Sequence, residues 1–114
     1  MNNPRNLTAL LATYNIKPPT CGASCGPGWR PLIEALIKDL LALGWDRECD
    51  QIKEKFAGLR FYVGKASEEM YELIHAAEFE SLHICEECGE HGHRVNIGGW
   101  IKTRCEKHAV GVYR

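Results

Sequence analysis

No stretch of this 114-residue chain approaches the roughly 20 consecutive apolar residues that a bilayer-spanning helix needs. The opening Met1-Asn2-Asn3-Pro4-Arg5 leads into a polar-interrupted stretch, unlike the apolar centre of a signal peptide. No membrane attachment and a cytoplasmic location are therefore expected. Strong charge is lacking as well. The 14 Lys and Arg against 15 Asp and Glu leave a net charge of −1, which argues against strong non-specific attraction to nucleic acid or anionic lipid. Internal repeats and low-complexity segments are absent. The glycine-rich loop 22–28 lacks the Lys-Ser/Thr of a P-loop and the leading strand of a dinucleotide fingerprint. No acid–base pair and no open metal site can be assembled from these residues, so an enzyme is the least supported class.

What is present is concentrated near the C-terminus. Cys85-Glu86-Glu87-Cys88 is followed by sixteen residues and then by Cys105-Glu106-Lys107-His108. Two ligand pairs, each with a two-residue gap and joined by a loop of this length, suit a tetrahedral zinc site. The gap lets one tight turn aim both side chains of a pair at one ion. Gly89 directly after Cys88 allows backbone amides to turn towards the sulfurs. His91 and His93 lie in the same loop, but His108 completes the second pair symmetrically and is the preferred fourth ligand. Four good ligands close the shell, so one structural Zn2+ is expected and a catalytic one is not.

The chain length suits one domain. The expected fold is α+β: two main helices, a short β-sheet and a C-terminal zinc ribbon. Residues 1–20 form an N-terminal arm or short helix, 21–83 an α+β core, and 84–114 the ribbon packed on that core. Residues 21–29 hold three glycines and a proline and predict a loop that seats Trp29 against the core. Pro31 opens a helix with Leu32, Leu36 and Leu40 on one face and Ile33, Ile37 and Leu41 beside them, ended by Gly44. Ser67 caps a second helix, with Glu68 and Glu69 in its first turn and a stripe of Met70, Leu73, Ile74, Ala77 and Ser81 or Leu82. Between them, Leu59, Phe61 and Val63 alternate as a strand does. Ile52 and Phe56 also fit a helix, but Gln51 to Phe56 before Ala57-Gly58 fits the first arm of a hairpin, and strand is preferred. Gly98-Gly99, between Arg94–Ile97 and Trp100–Arg104, is a two-residue hairpin turn.

Three further constellations are weaker. Cys21, Cys25 and Cys49, with His75 or His83, would suffice chemically for a second metal, but the three-residue gap is less typical and buried or idle thiols are preferred. Cys25 precedes a helix start, where a thiolate is stabilised, yet no positioned base accompanies it. Lys53, Lys55, Arg60 and Lys65 interleave with Phe56, Phe61 and Tyr62, a mixture suited to single-stranded nucleic acid or a nucleotide. Arg94, Lys102 and Arg104 would extend that patch if both faces point the same way. A solvated strand face with Phe61 turned inward is the preferred reading.

Several of these residues form a larger pattern. Cys25-Gly26-Pro27-Gly28-Trp29 precedes an apolar helix, and Gln51-Ile52-Lys53-Glu54-Lys55-Phe56-Ala57-Gly58-Leu59-Arg60-Phe61-Tyr62 follows it. Ala77-Glu78 with Ser81, Cys85-x-x-Cys88-Gly89, and Gly99-Trp100-Ile101-x-Thr103-x-Cys105-x-x-His108 complete it. Over residues 25–108 the chain resembles a family of small tailed-bacteriophage and prophage proteins with no assigned activity. Ala57 stands where that family often has glycine, which argues against an obligatory positive-φ turn there, and Cys21 is extra. The resemblance implies a phage-encoded accessory protein in the host cytoplasm and no activity. The expected function, from what small phage proteins commonly do, is binding to a host or phage protein such as replication, transcription or defence machinery. Trp100 at the ribbon tip and the glutamate-rich helix face are the expected contact surfaces, with Arg104 beside them. Nucleic-acid or nucleotide-signal binding through Lys53, Lys55, Arg60 and Tyr62 is the alternative.

Overall fold

The computed structural model describes residues 7–16 and 23–109. Helix α1 (Leu7–Thr13) buries Leu7, Leu10 and Leu11 in the main core, so this part of the N-terminal segment is a packed helix. Two polar contacts hold its end. The Tyr14 hydroxyl donates to Glu34 Oε2 at 2.7 Å, and Arg47 Nη1 donates to the Tyr14 carbonyl at 2.5 Å. The segment read as an unbroken loop contains a two-residue strand, β1 (Ala23–Ser24), and a 3-10 turn, Pro27–Trp29. Glycine and proline keep the strand short, and pairing to a longer neighbour makes it possible at all.

Helix α2 (Arg30–Ala42) buries Ile33, Leu36, Ile37 and Leu40, so the apolar face is centred on these, with Leu32 and Leu41 at its margins and only partly buried. It ends in a Schellman pattern: Trp45 N–H donates to the Leu40 carbonyl and Gly44 N–H to that of Leu41. Strands β2 (Cys49–Lys55) and β3 (Gly58–Val63) form an antiparallel hairpin, and β1 adds in parallel to β2. Ile52 faces Phe61 across the pair, and both are buried. The hairpin turn is Phe56-Ala57, with φ of 51° and 74°. Positive φ is therefore required at Ala57 after all. Tertiary bonds hold it there: its N–H donates to Glu54 Oε2 at 2.9 Å and its carbonyl accepts from Thr103 Oγ1 at 2.7 Å.

Helix α3 (Glu68–Glu80) starts where Ser67 Oγ accepts the Met70 N–H at 3.2 Å. Its buried face, Met70, Ile74 and Ala77, lies in the same core. The helix and the turn after it also close the free edge of β3. Ser81 Oγ accepts the Leu59 N–H at 2.9 Å, and Glu78 Oε2 accepts the Phe61 N–H at 3.0 Å. Strands β4 (His93–Ile97) and β5 (Trp100–Arg104) form the second hairpin, turned at Gly98-Gly99 with positive φ at both. The architecture is α+β, with three helices, two small sheets and a cysteine–histidine cluster near the C-terminus among the described residues.

Candidate metal centre

The cluster is assembled by two short turns at the base of the β4–β5 hairpin. Cys85 and Cys88 lie on the turn before β4, where Gly89 N–H donates to the Cys85 carbonyl at 2.9 Å. Cys105 and His108 lie on the turn after β5, where His108 N–H donates to the Cys105 carbonyl at 3.1 Å. These turns bring Cys85 Sγ within 3.6 Å of His108 Nδ1, and Cys88 Sγ within 3.6 Å of Cys105 Sγ. Cys105 Sγ stands 3.2 Å from His108 Nδ1, and all four donor atoms lie within 4.8 Å of one another. A tetrahedron of sulfurs bonded at about 2.3 Å to a central ion has edges of about 3.8 Å, and a sulfur–nitrogen edge is slightly shorter. The donor set fits a tetrahedral metal ion. Cys85 and Cys105 are buried, while His108 faces solvent. Burial opposes ionisation of Cys105, but hydrogen bonds involving His108, Cys88 and Cys85 bring its pKa down to about 6. A thiolate is the form that ligates metal.

The first turn is seated against the core by contacts far apart in sequence. Gly28 N–H donates to the Glu86 carbonyl at 2.7 Å, Gly26 N–H to Glu86 Oε2 at 2.8 Å, and the Trp29 indole to the Ile84 carbonyl at 2.9 Å. A Cβ on Gly28 would lie 2.2 Å from the Cys85 carbonyl oxygen, so only glycine permits this approach. Glu86 is 5% exposed, and burial raises its pKa against the lowering effect of the Gly26 bond. Its other carboxylate oxygen, Oε1, has no hydrogen-bond partner among the described residues. Sequence reasoning missed Glu86, because the intervening residues of a ligand pair are normally outside, and no local signal marks a buried one.

His91 and His93 are exposed beside Glu90, Glu106 and Cys105 and lie outside the four-donor cluster. Among the described residues no second convergent group of three potential ligands occurs. Cys21 lies outside the described residues. The Cys49 thiol is buried and donates to the Tyr62 carbonyl at 3.4 Å, and Cys25 is half-buried. Burial pushes both thiols up to about 12, with the carboxylates of Glu86 and Glu54 adding to the effect at Cys25. His75 and His83 pack against the rings of Tyr71 and Phe79 on α3 and the turn after it.

The strand residues proposed for binding share one face. Lys53 pairs with Arg60, Gln51 with Tyr62 and Lys55 with Gly58, so Lys53, Lys55, Arg60 and Tyr62 all point away from the Ile52–Phe61 side. Lys53 Nζ lies 5.9 Å from the centre of the Tyr62 ring. The ribbon cations do not extend this patch freely. Lys102 Nζ pairs with Glu54 Oε1 at 2.7 Å, and Arg104 Nη2 with Glu87 Oε2 at 3.5 Å. Trp100, beside the β4–β5 turn, is 72% exposed. No helix among the described residues is long and apolar enough to cross a membrane. Comparison with known protein families, characterised proteins and solved structures finds no match.

Proposed function

We propose that Cys85, Cys88, Cys105 and His108 hold one structural zinc ion and that the protein acts by binding another protein. Three sulfurs and one imidazole nitrogen at tetrahedral spacing are a zinc donor set, and four protein donors fill the shell. Apparent binding energies for such sites run to roughly 10–16 kcal/mol. That is ample to order a hairpin whose own apolar cluster, among the described residues, is Val95 and Ala109 with Ile97 against them. A divalent ion held there would offset most of the charge of the three thiolates; the chain's own residues fix the hairpin on the core.

The observation that carries the binding role is Trp100. A tryptophan 72% exposed on a hairpin braced by Thr103, Lys102 and the ligand cluster is a rigid anchor available to a partner. Resemblance to tailed-phage proteins supplies the setting, a phage-encoded factor acting on host or phage machinery in the bacterial cytoplasm. Native mass spectrometry should find one zinc per chain, and Trp100→Ala should weaken capture of that partner without unfolding the domain. A metal-free native mass, or capture indifferent to Trp100, would move the function elsewhere.

A second reading has its own observation: Lys53, Lys55, Arg60 and Tyr62 occupy one strand face, with Phe56 68% exposed at its end. Charge beside flat rings suits a nucleotide or single-stranded nucleic acid. Affinity for short oligonucleotides or cyclic nucleotides that falls steeply with salt would favour it over the first.

A further inference from the structure

Helices α2 and α3 leave an open groove between them. Ala42, Leu43 and Leu73 line it with apolar surface, and Asp39, Glu69 and Glu72 rim it with carboxylates. Leu43 is 39% exposed. Among the described residues none of the three carboxylates is paired with a lysine or arginine. Helix α3 carries five glutamates, and no lysine or arginine lies between Ser67 and Ile84; among the described residues Glu78 is the one of the five with a hydrogen bond, on the edge of β3. The groove therefore combines uncovered aliphatic surface with uncompensated negative charge.

These two properties select an occupant. A divalent cation is disfavoured, because the three carboxylates do not converge as the cysteine–histidine donors do. A nucleic acid is repelled by them. We propose that the α2–α3 groove docks a segment of a partner protein in which an aliphatic side chain is flanked by arginines or lysines. The aliphatic group covers Leu43 and Leu73, and the flanking cations meet Asp39, Glu69 and Glu72. The proposal rests on the protein-binding reading and adds the chemistry of the partner to it.

Fluorescence anisotropy with labelled short peptides tests this directly. The probe peptide carries leucines three and four residues apart among arginines and lysines. One control keeps the cations and replaces the leucines by serine; another keeps the leucines among glutamates. Only the probe should bind, more weakly as salt rises. Asp39→Lys with Glu72→Lys should weaken it about tenfold, and so should Leu43→Ser. All three positions are solvent-exposed, and circular dichroism checks that each variant keeps its fold. Equal binding of the leucine-free control, or binding unchanged in the variants, overturns the proposal. Partner capture lost in Trp100→Ala with no probe binding sinks the groove alone. An oligonucleotide bound on the Lys53–Arg60 face with no peptide bound sinks the protein-binding reading as well.

Discussion

The Thr103 hydroxyl donates a 2.7 Å hydrogen bond to the Ala57 carbonyl, and both residues are fully buried although 46 positions apart. One end is the strained turn of the β2–β3 hairpin and the other the β5 strand that leads into Cys105. The bond joins the two sheets at the point where the first departs furthest from ordinary backbone.

Thr103→Val removes the donor while keeping the shape, and leaves the Ala57 carbonyl unpaired in the interior. It should destabilise the domain by about 1–3 kcal/mol in denaturant unfolding. Thr103→Ser should recover most of that loss. Equal stability of the valine and threonine proteins would mean that the turn does not depend on the bond.

Metal removal should be felt at Trp29, which is fully buried and bonded to the carbonyl next to Cys85. In a variant with Trp45→Phe and Trp100→Phe, chelation should shift Trp29 emission to the red, and Cys88→Ser should reproduce the shift. Emission unmoved by complete chelation would show a core indifferent to the cluster.

Phe56 is a bulky, exposed side chain at φ 51°, where asparagine is favoured in a two-residue hairpin turn. Phe56→Asn should stabilise the fold by about 0.5–1 kcal/mol, read as a raised melting temperature. A phenylalanine kept at such a position points to use of its ring on the surface. Loss of ligand or partner affinity in the same variant would identify that use.

Burial raises the pKa of Glu86, so the folded protein holds that proton more readily than the unfolded chain does. Stability from this group is present in acid and is lost as pH rises from the ordinary carboxylate range through the raised value. Glu86→Gln keeps an oxygen for the Gly26 N–H and cannot ionise. Its stability relative to wild type should therefore rise across that window, with metal content followed in parallel. Parallel pH profiles for the two proteins would place the charge in solvent.

Helix α2, the Ser67 cap of α3, the Gly98-Gly99 turn and the ligand spacing were all legible, because each is written in neighbouring residues with a fixed period or offset. The Phe56-Ala57 turn was not. Its positive φ is supported by Thr103 and Glu54, and sequence gives no register between β3 and β5. The seating of Glu86 on Gly26 and Gly28 was hidden for the same reason, since it joins positions 60 apart. The basic patch was half legible. Alternation over 59–63 turns Phe61 inward, but only the folded chain sets Lys53 and Lys55 beside Arg60 and Tyr62 and shows Lys102 and Arg104 already paired with Glu54 and Glu87.

The side chains of Ser81 and Glu78 occupy the Leu59 and Phe61 N–H groups that would otherwise recruit another strand. Sheet extension from β3 is thereby blocked, both for a passing extended peptide and for the hairpin of a second molecule. That blockade guards against fibrous self-association from this edge. A partner that binds by adding a strand must look elsewhere on the surface.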